Sequence, residues 1–64
     1  MVLINGKECD AAGKDVLGVI QELNYDLRTI VVELNEEIIP KAALSERFLK
    51  DGDILEIVSF VGGG

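Results

Sequence analysis

Histidine and tryptophan are absent from this chain, and Cys9 is its single cysteine. A lone thiol cannot close an intramolecular disulfide, and without histidine or further cysteines there is no cluster of zinc-ligand type. That pattern suits a reducing cytoplasm. Long apolar runs are also missing. No stretch approaches the roughly 20 residues that span a bilayer, and Met1-Val2-Leu3-Ile4-Asn5-Gly6 lacks the basic residues and the length of a secretory signal, so neither membrane insertion nor secretion is expected. Positive charge is scarce. Six basic residues stand against twelve acidic ones, and the formal net charge of −6 repels nucleic acid and favours a basic protein surface as partner. Finally, 64 residues make one small domain whose 48% hydrophobic content supports a modest core and no deep active site.

Few residues offer chemistry. Cys9 lies between two acids, Glu8 and Asp10, rather than beside the basic groups that accompany a reactive cysteine, and it reads as structural or incidental. Asp51 and Asp53 imitate the start of a calcium loop, yet Leu55 and Gly62 occupy the fifth and twelfth positions, where oxygen ligands are required. Glu36-Glu37 reads as a solvated turn. The glycine run at the end has no following Lys and Ser or Thr, so it is not a phosphate-binding loop.

The order of elements is more informative. Val2-Leu3-Ile4 and Lys7-Glu8-Cys9-Asp10 flank Asn5-Gly6, a pair that tolerates the positive φ of a type I′ turn, and an antiparallel hairpin is predicted. Asp15 is a candidate N-cap for a helix from about Val16 to Asn24, with Val16, Val19, Ile20 and Leu23 on one face. Gly18 costs that helix about 1 kcal/mol against alanine, and nothing in the sequence explains it. After a break at Asn24-Tyr25-Asp26, Thr29 to Leu34 reads as a strand with Ile30, Val32 and Leu34 toward the helix and Val31 and Glu33 away from it. Asn35-Glu36-Glu37 turns into a short edge strand, Ile38-Ile39, which Pro40 stops because it cannot donate to a ladder. Residues 40–48 hold a helical turn or loop. Asp51-Gly52-Asp53 then launches the longest strand, Ile54 to Val61, whose two largely apolar faces mark it as central.

That strand runs into Gly62-Gly63-Gly64. Three glycines form a thin, flexible thread able to enter a narrow tunnel, and extended they reach roughly 10 Å. At neutral pH a free carboxylate on Gly64 is an anion and a poor electrophile, so another enzyme must activate it. The same residues also describe a plain frayed end. The predicted division is a folded domain over residues 1–61 and a glycine tail over 62–64. If Leu55 and Ile57 face the helix, then Ile54, Glu56, Val58 and Phe60 point outward beside the tail, and Val58, Phe60 and Val61 are the candidate docking residues. A one-residue register shift exchanges the two faces, and the 40–48 segment is an alternative cover for the outward one.

Hairpin, single helix, Asp51-Gly52-Asp53 turn, long last strand and glycine end together imply an α+β domain with one main helix across one face of a mixed, four- to five-stranded sheet. The ordered set resembles a ubiquitin-like β-grasp domain. The short length and the ending Ile57-Val58-Ser59-Phe60-Val61-Gly62-Gly63-Gly64 resemble the sulfur carrier proteins of thiamin biosynthesis. That resemblance implies a protein that is a co-substrate rather than an enzyme. An adenylyltransferase resembling the ubiquitin-activating enzymes would join Gly64 to AMP, holding ATP and Mg²⁺ itself, so that this chain binds no cofactor or metal. Sulfur from a cysteine desulfurase or another donor would convert the adenylate to a thiocarboxylate, and thiazole synthase would accept the sulfur. Gly62 and Gly63 would thread the partner's channel. Two other readings remain open at this level: the small subunit of molybdopterin synthase, and a ubiquitin-like binding module or modifier that carries no sulfur.

Overall fold

A computed structural model describes residues 1–60. The opening strands β1 (Val2–Ile4) and β2 (Lys7–Cys9) pair antiparallel around Asn5-Gly6, whose φ values of 50° and 85° are those of the expected type I′ turn. The helix α1 spans Val16–Glu22, ending before Asn24, which turns the chain with φ of 63°. Asp15 caps it, its carboxylate accepting the Gly18 N–H at 3.0 Å.

Gly18 is explained by that cap. A Cβ built on Gly18 would lie 3.0 Å from Asp15 Oδ1, closer than side-chain packing normally allows. The bare glycine leaves the carboxylate room to reach over the first turn.

The third strand, β3 (Ile30–Leu34), starts one residue later than the sequence suggests, because Thr29 closes a 3-10 turn over Leu27–Thr29. Asp26 caps that turn and Thr29 N–H donates to Asp26 O at 3.0 Å. The edge strand β4 is Glu37–Ile38 rather than Ile38-Ile39, since the turn before it uses only Asn35 and Glu36, at φ of 52° and 70°. Ile39 is buried just past the strand, its N–H still donating to Val32 O. A 3-10 helix over Lys41–Glu46 occupies the segment after Pro40 and inserts Leu44 into the core. The last strand, β5 (Ile54–Ser59), follows the Asp51-Gly52-Asp53 turn, in which Gly52 has φ of 92°. Phe60 continues its pairing, donating from N–H to Thr29 O at 2.9 Å, and Val61 lies outside the described residues.

The sheet order is β2-β1-β5-β3-β4. β5 is central, parallel to β1 and antiparallel to β3, so the sheet is mixed. Val16, Val19 and Ile20 of α1 pack with Val2, Ile4, Ile30, Val32, Leu34, Leu55 and Ile57 in one core against a single sheet face. Burying such side chains contributes about 1.5–3 kcal/mol each, which is what holds the helix on the sheet.

Candidate functional site

The expected face assignment holds. Leu55 and Ile57 are buried under α1, whereas Ile54, Val58 and Phe60 are 46%, 54% and 48% exposed. The 41–46 segment does not cover them; it packs with α1 on the other side of the molecule. The central position of β5 is also as read, but the apolarity of its outer face is not due to a second covering layer, because that face is open.

Register places neighbours beside these residues. Val58 lies opposite Val31, Glu56 opposite Glu33, and Glu33 opposite Ile38. On the other flank Ile54 lies beside Leu3, which in turn faces Glu8. The outward face is therefore a set of apolar side chains broken by acids. Val31, Glu33 and Ile38 join this surface through cross-strand register alone. Strand alternation predicted the outward direction of Val31 and Glu33 but left open which residues of β5 they meet.

The end of β5 is braced on both edges. On the β3 side Phe60 is held by Thr29, whose own position is set by the Asp26 cap. Arg28 grips Asp26 with Nε on Oδ1 and Nη2 on Oδ2, both at 3.1 Å, and these hydrogen bonds hold the Asp26 carboxyl below its usual range. On the β1 side the backbone turns away after the Asn5 N–H, which donates to Leu55 O at 3.0 Å, and the Asn5 side chain takes over the pairing role from there. Its Oδ1 accepts the Ile57 N–H at 2.8 Å, while its Nδ2 donates to Ile57 O at 3.2 Å and to Tyr25 Oη at 3.1 Å. Asn35 does the same at the start of β5, accepting the Ile54 N–H at 2.9 Å and donating to Asp53 Oδ1 at 3.1 Å. Neither latch was legible in the sequence, where both asparagines read only as turn residues.

Asp53 is the one buried charged residue among those described. Burial works against its carboxylate, but hydrogen bonds from Asn35 Nδ2 and the Lys50 N–H, with the charges of Lys50 and Arg47, outweigh that and hold its pKa below the ordinary value of 3.8. Its job is to close the turn that launches β5. Cys9 is half-buried against the core, its Sγ 3.6 Å from Lys7 O. Among the described residues no three metal-ligating side chains come together, and no buried polar side-chain atom is left without a partner. Gly62, Gly63, Gly64 and Val61 lie outside the described residues.

Comparison with known proteins places this arrangement. The model of the ThiS family matches residues 2–64. The sulfur carrier protein ThiS of Bacillus subtilis is 46% identical over 68 aligned positions that cover all of both chains. A thiazole synthase of Paramagnetospirillum magneticum is 44% identical over 64 positions, 98% of this chain but only 20% of that protein. The crystal structure of the thiamine biosynthesis protein ThiS from Geobacter metallireducens superposes with a TM-score of 0.78 at 31% identity, covering 98% of this chain and 97% of that one. Matched along nearly its whole length in sequence and in three dimensions, this chain belongs to the ThiS family of sulfur carriers and has their β-grasp fold.

Proposed function

We propose that this chain carries sulfur for thiazole formation in thiamin biosynthesis, with the carboxylate of Gly64 as the point of attachment. The full-length match to a sulfur carrier is the observation that carries the reading. The geometry supports it: a rigid central strand, pinned on both edges, runs toward the glycines beside an open apolar face. In this reading Gly62 and Gly63 thread a partner's channel while Val58, Phe60 and Val61 dock the body outside it.

The chemistry follows from the carboxylate's inertness. Attack of a Gly64 carboxylate oxygen on the α-phosphorus of ATP expels pyrophosphate and yields a mixed anhydride, an electrophile the free anion is not. A sulfur nucleophile then displaces AMP. Hydrosulfide leaves a thiocarboxylate at once, whereas a desulfurase persulfide leaves an acyl disulfide whose S–S bond a reducing thiol must cleave to release the thiocarboxylate. In this reading ATP and Mg²⁺ belong to the adenylating partner, one resembling the ubiquitin-activating enzymes, and the described residues of this chain are asked for no catalytic side chain. Thiazole synthase is the acceptor, a role supported by the thiazole synthase that contains a segment 44% identical to this chain. The setting is the cytoplasm. No helix among the described residues is long and apolar enough to cross a membrane.

Intact mass measurement of the protein isolated from cells making thiamin tests the reading. A species heavier by the difference between sulfur and oxygen, which transfers that sulfur to thiazole synthase, is the expected result. Sulfur accepted instead by the large subunit of molybdopterin synthase, or a tail that is never modified, would overturn it.

A further inference from the structure

The outward sheet face carries charge of one sign. Its strand residues are Leu3, Ile54, Val58, Val31 and Ile38, broken by Glu8, Glu33 and Glu56. Lys7, the one basic strand residue, pairs with Ile4 and so belongs to the helix side. Three other basic residues are engaged elsewhere: Lys14 with Glu22, Arg28 with Asp26, and Arg47 with Glu37. At the middle of the face Glu33 and Glu56 lie directly opposite each other on neighbouring strands. Directly opposed side chains have Cβ atoms about 4.5–5.5 Å apart, and like charges at that spacing are destabilising. Around this pair stand Ile54 and Val58 along β5, Val31 along β3 and Ile38 across β4, of which all but Val31 are roughly half exposed or more. An apolar ring around two unneutralised acids is a cost to the free domain with no return inside it.

We propose that Glu33 and Glu56 form the receptor for a cationic side chain of thiazole synthase, an arginine or lysine projecting from an otherwise apolar docking face. The ring excludes water when the two faces meet, so the cation neutralises both carboxylates in a medium of lower dielectric than solvent. The apolar contacts hold the faces together, and the acid pair sets which partner fits and in what orientation. A partner presenting acids there is rejected, and one presenting only apolar groups leaves two carboxylates desolvated and unpaired. This inference rests on reading the sheet face as the docking surface, and it adds the chemistry of what docks.

The test compares binding of the full chain to thiazole synthase from the same organism, at low and high salt, with thermal unfolding of each free variant. Replacing both acids (Glu33→Gln with Glu56→Gln) should weaken binding on the order of tenfold to a hundredfold and flatten its salt dependence, with the free chain unfolding at the same or a higher temperature. Glu56→Lys is the sharper case. The new ammonium pairs with Glu33 across the strands, so the domain should gain stability while binding is lost, because the sheet now fills its own receptor. Val58→Asp separates the two levels of the argument. If it abolishes binding while the double glutamine variant binds as tightly as the wild type, the face docks without using the acid pair and the inference fails. If Val58→Asp also binds normally, the docking face itself is misassigned.

Discussion

At the scale of single residues, Gly18 and Asp53 show how local costs are offset by a neighbour. Gly18→Ala ought to stabilise a helix interior by about 1 kcal/mol, but here the added methyl crowds the capping carboxylate of Asp15 at 3.0 Å. We expect Gly18→Ala to be neutral or destabilising in urea unfolding, and to recover its gain only in an Asp15→Ala background, where no cap remains to be displaced. Asp53 makes a prediction in pH. Its folded-state pKa is lower than its ordinary 3.8, so its contribution is complete above that value and disappears as pH falls below about 4 through the folded value. Asp26, held down by Arg28, shifts in the same direction. Stability of the wild type should therefore drop in acid. Asp53→Asn should be less stable at neutral pH but flatter below pH 4, as read from urea midpoints at stepped pH. The cap at Asp15 was legible from the sequence because a side chain three residues from its partner is a local matter. Asp53 was not, since its partner Asn35 is 18 residues away and read only as a turn.

At the scale of elements, the two hairpins fell differently to sequence reasoning. Both turns are read from the sequence, but Asn5-Gly6, a strong signal, is placed to the residue. Asn35-Glu36 adopts the same left-handed geometry with a residue that does not advertise it and is read one residue too long, through Glu37. The strand boundaries moved by a residue or two for the same reason: caps and turns outside each apolar run decide where pairing stops. Asn5 goes further and lends its amide to β5 as a substitute for strand backbone. Asn5→Gly keeps the positive φ and removes only this latch. It should cost about 1–3 kcal/mol and expose the Ile57 amide to faster hydrogen exchange, without shifting the β1–β2 register. Unchanged exchange at Ile57 would show that the latch is idle.

At the scale of the whole molecule, alternation in β5 divided its residues between two faces but left the assignment reversible. It is the burial of Leu55 and Ile57 in the core shared with α1 that separates the covered face from the open one. Which residues lie side by side across that open face was not readable, because register is set by turns and latches far apart in the chain. In the proposed function the glycines belong to this scale as well, because the reading gives them work only in contact with a partner. Deleting Gly64 should leave the unfolding temperature unchanged and abolish sulfur loading by mass measurement; loading that survives would move the attachment point. The place of β5 between β1 and β3 has a mechanical meaning too. A pull applied to the chain beyond Phe60 and directed along the strand loads the hydrogen bonds on both of its edges in shear, all together, rather than peeling them one after another. An enzyme that grips the end can therefore tug on this domain without unravelling it.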